Sequence, residues 1–423
     1  MRIAFTTLGC KINQYETDAM RKAAAAEGNA IVPFESEADV YVINTCSVTA
    51  KSDYQCRQTI RAAIHRKEGA RIIVTGCYAE TRPQEIMNIP GVSLVLGNGE
   101  KANITRYVSD REHAGTDHGA AYHEGVRERT RGVLKIQDGC DSRCSYCIVP
   151  QARGGSRSVP REEVVRLFVQ AVEAGCPEVV LSGIHIGRYG SDLVPRHSLT
   201  TLVADLLGRR DHARIRLSSI EPNEITNELI DLFGHGVCRH FHIPLQSGDD
   251  AILRTMNRTY SSAFYRKLVE SIAHKIPGVA IGADVMVGFP GENESAFQNT
   301  FNLIEDLPLS HLHVFSYSPR PGTAAAEMKE QVPNANKKQR NEALRDLGIR
   351  KNREFRNRFK GSILNVVLEE SSRSDEGVGS GLTDNYIRVA VSGVKGGDFG
   401  KEVRVLIDDV REQDVVGSKV SSI

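Results

Sequence analysis

Three cysteines, Cys140, Cys144 and Cys147, stand close together in the string GCDSRCSYC. Thiolates so placed bind iron, and a 4Fe–4S cube takes one thiolate per iron. Three ligands leave the fourth iron without a protein ligand. An open position is what catalysis requires of a metal, as at catalytic zinc, whereas a structural site is closed. A zinc loop would pair its Cys-x2-Cys with a second pair or with histidines, and none stands nearby. The segment therefore predicts a redox-active iron–sulfur site. Three more cysteines, Cys10, Cys46 and Cys77, lie far apart, yet each closely follows a β-branched run: RIAFTT (2–7), VYVINT (40–45) and RIIVTG (71–76). In a parallel α/β sheet, residues just past the carboxyl ends of the strands converge on one crevice. The trio there either holds a second cluster or is three small core cysteines, since buried cysteine is common. Cys56, Cys176 and Cys238 read as structural.

The elements that must position these residues follow from the hydrophobic pattern. Residues 1–110 alternate short apolar runs, including SLVLG (93–97), with helical patterns at 13–28 and 50–67, which predicts a parallel α/β domain. Residues 111–131 are polar and weakly periodic and read as a linker. Within 132–333, six strand-like runs (133–138, 178–183, 214–219, 240–245, 279–289 and 311–317) alternate with helical patterns, which predicts a partial (βα)6 barrel. The cysteine triplet follows the first run and so belongs at the carboxyl-terminal mouth of that barrel. Residues 334–361 carry ten Lys/Arg against three acidic residues, with an apolar stripe of Leu344, Leu347, Phe355 and Phe359, and read as a basic connecting helix. Residues 362–423 hold strand-like runs between Gly-rich turns, which predicts a small antiparallel β-barrel.

Composition narrows the function classes. At 423 residues the chain has room for about three domains. With 40% hydrophobic and 25% charged residues it is a folded chain rather than a disordered one. No signal-peptide pattern and no run of 18 apolar residues is seen, so a cytoplasmic protein without a membrane segment is expected. Nine cysteines in such a chain point to metal chemistry rather than a disulfide framework. A net charge of +1 means that any nucleic-acid affinity must come from a local patch, for which 334–361 is the candidate. Residues 362–423 hold seven basic and eleven acidic residues, so RNA binding there would rest on one face or on shape.

Cys-x3-Cys-x2-Cys with Tyr146 before its last cysteine resembles the radical S-adenosylmethionine superfamily. The resemblance implies that the open iron is chelated by S-adenosylmethionine, which one electron cleaves to a 5′-deoxyadenosyl radical. It also implies cofactor contacts at Tyr146, at Gly183 in LSG, at Ser219 and Glu221 in SSIE, at Gln246 in HIPLQSG and at Gly288 in DVMVGFPGE. The glycines of that last string would let a ligand approach the backbone.

The strings TLGCKINQYE around Cys10, NTC at Cys46 and TGC at Cys77 resemble the N-terminal domain of the methylthiotransferases, as does the segment from Cys147 through Arg153 and Arg157. One departure is Gly155-Ser156, where the family usually has an acidic residue. The likeness implies a flavodoxin-like first domain, a radical barrel and a terminal TRAM or OB-like domain. It implies two 4Fe–4S clusters, on Cys140, Cys144 and Cys147 and on Cys10, Cys46 and Cys77, the second presenting the sulfur that is transferred. GCKINQYE, HVFSYSPR and QVP resemble the branch acting on N6-threonylcarbamoyladenosine beside the tRNA anticodon; isopentenyladenosine and a ribosomal-protein aspartate are the alternative substrates. The implied partners are the anticodon loop, a reductant such as flavodoxin or ferredoxin, and a sulfur donor. Arg153 and Arg157 are expected to clamp a phosphate or the carboxylate of the modified base.

Overall fold

The structure, a computed structural model, describes residues 1–108, 130–369 and 377–420; the expected linker at 111–131 lies outside them but for its last two residues. The described chain falls into two units. The first comprises residues 1–108 with Gln137–Arg157 and Ser318–Ala326, and the second residues 130–136, Ser158–Tyr317 and the chain from Glu327 onward.

In the first unit, five parallel strands stand in the order β2-β1-β3-β4-β5: β1 (Arg2–Thr7), β2 (Ala30–Val32), β3 (Val40–Thr45), β4 (Arg71–Gly76) and β5 (Leu94–Val95). This is the flavodoxin-like order, whose switch point lies between β1 and β3. Central β3 is buried at every residue, as a parallel strand covered on both faces must be. Tyr41 and Ile43 pack beneath α2 (Ala50–Ile64) with Cys56 and Ile60, while Val40 and Val42 face Met20 and Ala24 of α1 (Lys11–Ala26). Three short helices complete the sheet's connections: α3 (Cys77–Thr81), α4 (Pro83–Met87) and α5 (Ile104–Val108). The three-residue edge strand β2 is absent from the sequence reading, being too short to show an alternating pattern.

The second unit opens with β6 (Arg131–Lys135). The cysteine loop and α6 (Val149–Arg153) of the first unit are bracketed in sequence by β7 (Gln137–Asp138) and β8 (Arg157–Ser158). Then come α7 (Arg161–Glu173), β9 (Glu178–Ser182), α8 (Leu199–Leu207), β10 (Arg214–Leu217), α9 (Asn227–Ile230), β11 (His240–His242), α10 (Asp250–Thr255), α11 (Ser262–Lys275), β12 (Ala280–Val287), α12 (Glu294–Asp306) and β13 (His311–Ser316). All six major strands run parallel, in two three-stranded sheets ordered β10-β9-β6 and β11-β12-β13. One strand face is apolar and buried, with Val179, Leu181, Ile215, Phe241, Ile281 and Val285. The opposite face carries Glu178, Arg214, Arg216, His242, Asp284 and His313. A closed (βα)8 barrel fills its interior with branched apolar side chains; the inner face here is polar instead.

Helix α13 (Asn334–Asn357) packs along β13, with Leu344, Leu347 and Phe355 buried as the stripe predicts. Its charge is less available than its composition implies. Arg340 pairs with Glu292 at 2.7 Å, and Lys351 donates to the Glu305 carbonyl at 2.8 Å. The chain ends in a closed barrel, β14-β15-β16-β18-β17, formed by β14 (Ile363–Glu369), β15 (Val378–Thr383), β16 (Arg388–Ser392), β17 (Glu402–Val410) and β18 (Val415–Lys419). Buried Glu178 joins this barrel to the radical barrel. It takes Arg216 at 2.7 Å and Arg214 at 2.6 Å, and those guanidiniums donate onward to the carbonyls of Thr383 and Leu382.

Candidate functional site

Cys10 caps the start of α1, Cys46 follows β3 and Cys77 begins α3 at the end of β4. Two of the three therefore flank the β1/β3 switch point, where doubly wound sheets bind ligands. Cys10 is exposed, while Cys46 and Cys77 are buried. The Cys10 turn lies against Cys46: a Cβ on Gly9 would stand 2.7 Å from Cys46 Cβ and 3.0 Å from its Sγ. Burial pushes the Cys46 thiol up, and negative charge on Cys77 and Cys10 pushes it further. A cationic cluster would offset that cost at Cys46, because it favours the thiolate. Among the described residues no three His, Cys, Asp or Glu side chains converge as one metal ion would need; a cube assigns each thiolate to a different iron. None of the nine cysteines is in a disulfide.

The second triplet is shaped by its loop. Cys140, Cys144 and Cys147 are half-buried and line a cavity of ≈ 500 Å³ with Pro150, Gln151 and Thr323. The amide of Cys140 donates to the Gly154 carbonyl at 3.0 Å, which closes the loop at its base, and Cys147 donates to the Cys144 carbonyl at 3.1 Å. Gly139 sits at φ +70, and a Cβ there would fall 1.9 Å from the Gly155 carbonyl oxygen, so only glycine allows this closure. On the far wall, Ala325 donates to the Ser145 carbonyl at 2.8 Å, and Arg320 anchors its segment by pairing with buried Asp53 and by donating to Ser47 at 3.2 Å. Tyr146 is half-buried within the loop.

Between the triplets lies a buried ion network. Arg153 Nη1 donates to Glu16 Oε1 at 2.8 Å and to Asp138 Oδ1 at 3.0 Å, and its Nη2 donates to Asn13 Oδ1 at 2.5 Å. Asn13 Nδ2 in turn donates to the carbonyls of Leu8 and Thr45, at 2.9 and 3.0 Å. Lys101 Nζ meets Glu16 Oε2 at 2.6 Å. Burial works against the charge on Arg153, but Glu16 and Asp138 carry its pKa well above the usual value; the Lys101 ammonium is pushed down by burial. Arg153 is only 4% exposed. Where the sequence led to the expectation of a substrate clamp, the structure shows Arg153 tying the Cys10 and Cys46 turns to the cluster loop. Arg157 remains exposed, donating to the Arg153 carbonyl at 3.0 Å. Sequence reasoning missed Glu16, Lys101 and Asp138; Asn13 and Glu16, three apart on α1 behind Cys10, were the available signal.

The expected cofactor contacts sit at the carboxyl ends of the second unit's strands: Gly183 after β9, Ser219 and Glu221 after β10, Gln246 after β11 and Gly288 after β12. Glu221 pairs with Arg258, although burial pushes its carboxyl up. Gln246 adopts φ 64, and its buried Oε1 has no hydrogen-bond partner among the described residues; Ser218 Oγ, at the neighbouring strand end, is likewise buried and unpartnered among them. Two orphaned polar atoms at adjacent strand ends fit a polar cofactor that would satisfy them. A Cβ on Gly288 would lie 2.3 Å from Lys337 Cγ, so this glycine makes room for a side chain of α13.

Residues 2–97 match the uncharacterized protein family UPF0004, 134–304 the radical SAM superfamily and 357–420 the TRAM domain. The chain is 40% identical to the threonylcarbamoyladenosine tRNA methylthiotransferase MtaB of Bacillus subtilis (strain 168), over 96% of this chain and 93% of that one. The chain belongs to the radical S-adenosylmethionine methylthiotransferase family. The methylthiotransferase is also 38% identical to the protein of the same name from Aquifex aeolicus (strain VF5), over 96% of this chain and all of that one (100%). In fold it resembles the radical S-adenosylmethionine methyltransferase TsrM from Kitasatospora setae, solved with tryptophan substrate and a SAM analog bound. The TM-score is 0.58 at 17% identity, over 77% of this chain and 75% of that one. Membership of the radical SAM superfamily implies a 4Fe–4S cluster and S-adenosylmethionine in this methylthiotransferase. Among its described residues no helix is long and apolar enough to cross a membrane.

Proposed function

We propose that this methylthiotransferase converts N6-threonylcarbamoyladenosine beside the tRNA anticodon to its 2-methylthio derivative, in the cytoplasm, with two 4Fe–4S clusters. Cys140, Cys144 and Cys147 hold the radical cluster, and Cys10, Cys46 and Cys77 hold the one that presents sulfur. The observation that carries the reading is the second triplet, placed at the ends of β1, β3 and β4 within the unit that also contains the radical loop. The substrate reading is supported by the relatives at 40% and 38% identity, both named threonylcarbamoyladenosine tRNA methylthiotransferases.

Bound at these sites, the clusters and S-adenosylmethionine supply one-electron chemistry for a C–H bond that offers neither an acidic proton nor a leaving group. The chain's own residues do the rest. Arg153, Glu16 and Asn13 fix the spacing of the cysteine-bearing turns; Gly139 closes the loop; Gln246 and Ser218 offer polar atoms to the cofactor. Arg157 and the exposed Lys338, Arg345 and Arg353 of α13 present positive charge to the RNA backbone. The anticodon loop presents the base unstacked, as sequence-selective RNA readers require. A flavodoxin or ferredoxin supplies electrons, and a separate donor supplies sulfur.

The test is iron and sulfide counted per chain in anaerobically purified protein, with nucleoside analysis of tRNA treated with it. About eight irons are expected, falling to about four in Cys140→Ala and in Cys10→Ala, together with a 2-methylthio product on threonylcarbamoyladenosine. About four irons, unchanged in Cys10→Ala, would overturn the two-cluster reading.

A further inference from the structure

The inner face of the β11-β12-β13 sheet holds a group of side chains that the cluster chemistry does not use. Asp284 and His313 stand in register on β12 and β13, and His242 of β11, on the same face, is in register with Gly282, two residues before Asp284. Asp284 is engaged on both oxygens: His242 Nε2 lies 3.0 Å from Oδ2, and His313 Nδ1 lies 2.9 Å from Oδ1. An imidazole that gives one nitrogen to a carboxylate is fixed in ring orientation and keeps the other for a second partner. For His313 that nitrogen is Nε2, on a side chain 71% exposed. The bond to Asp284 raises the His313 pKa, and Arg345 of α13 adds positive charge beside it.

The surroundings are aromatic and cationic. Gly282 makes room for the His311 ring, whose Nε2 would stand 2.0 Å from a Cβ there. Tyr386 from the turn between β15 and β16 stacks on His240 with centroids 4.1 Å apart, and Arg216 lies over its ring at 5.3 Å. At the exposed end of this face, His313 Nε2 and the Arg345 guanidinium offer nitrogen donors and positive charge, and Asp284 is already engaged by both imidazoles.

Such a pair of donors suits a small anionic group with hydrogen-bonding neighbours. The substituent on N6-threonylcarbamoyladenosine ends in a carboxylate next to a hydroxyl, whereas an isopentenyl substituent carries no charge and no donor. We infer that His313, oriented by Asp284 and backed by His242, is the residue that reads the threonyl carboxylate of the substrate. The inference rests on the substrate assigned above.

The experiment measures binding of the cluster-loaded full chain to three fluorescent anticodon stem-loops. One carries threonylcarbamoyladenosine, one the same nucleoside with its carboxylate converted to the amide, and one unmodified adenosine. The wild type is expected to favour the acid over the amide by about tenfold, the scale of one hydrogen bond to a charged group. His313→Gln should bring the acid down to the amide and leave the unmodified loop unchanged, which also reports an intact fold. Equal weakening of all three loops would make His313 a phosphate contact and overturn the inference, as would an undiminished preference for the acid. A wild type that shows no preference yet forms the methylthio product overturns the inference alone. One that forms no such product overturns the substrate assignment, and this inference with it.

Discussion

Arg153 and Glu16 stand 137 residues apart in sequence and 2.8 Å apart in the fold. Through Asp138 and Asn13 the same guanidinium reaches the turns that carry Cys140, Cys10 and Cys46. Removing one partner of a buried ion pair leaves the other charge uncompensated, at a cost of about 3–5 kcal/mol. Arg153→Met is expected to destabilise the apoprotein by that amount in urea unfolding. Arg153→Lys should recover little, because one ammonium lacks the planar fork that spans three acceptors. A loss under about 1 kcal/mol in Arg153→Met would show that the network does not tie the turns together.

A second buried network sets an acid limit on stability. Burial alone would raise the Glu178 pKa, but Arg216, then Arg214 and Arg131, overcome it and hold the carboxyl at about 2 against an ordinary 4.5. A carboxyl lowered in the folded state stabilises the fold above its unfolded value, and that stability is lost as pH falls from about 4.5 toward about 2. The full effect is on the order of 3 kcal/mol. Unfolding midpoints of the wild type should therefore drop across this window. Glu178→Gln, already missing the carboxylate, should be less stable at neutral pH and show a shallower drop. Parallel pH profiles of the two proteins would refute the assignment.

These two networks mark the boundary of what the sequence discloses. The strands before Cys10, Cys46 and Cys77 were legible because buried parallel strands are continuous apolar runs, and strand ends alone place the cysteines at the sheet's edge. The partners of Arg153 and Glu178 were not, since ion pairs between distant segments leave no local pattern. For the same reason the basic count of 334–361 overstated the charge α13 offers to RNA: Glu292 consumes Arg340, while Lys337 is laid over Gly288. The apolar stripe of that helix, being periodic, read correctly.

The remaining cysteines should differ in reactivity. Burial pushes the thiols of Cys56 and Cys238 to about 12, and both are inaccessible. The thiolate is the nucleophile, so neither should alkylate in the native protein. Exposed Cys10 should react first. Mass spectrometry of iodoacetamide-treated apoprotein at neutral pH checks this; early label on Cys56 or Cys238 would mean that these cores open in the native state.

Gly139 provides a test of the radical loop that leaves every thiol in place. Its positive φ costs a Cβ-bearing residue about 1–2 kcal/mol. The clash with the Gly155 carbonyl is worse, because both sides of it are backbone and no rotamer relieves it. In Gly139→Ala the loop base must open, breaking the Cys140–Gly154 hydrogen bond and displacing Cys140 from Cys144 and Cys147. Gly69 is the control, since it has φ +75 with none of the described residues within 4 Å of an added Cβ. Gly69→Ala therefore pays the conformational cost without the clash. After identical anaerobic reconstitution, Gly139→Ala should lose about half its iron while Gly69→Ala keeps it all. Full iron in Gly139→Ala would mean that the loop finds another closure; equal loss in both would trace the effect to backbone strain rather than to the geometry of the cysteines.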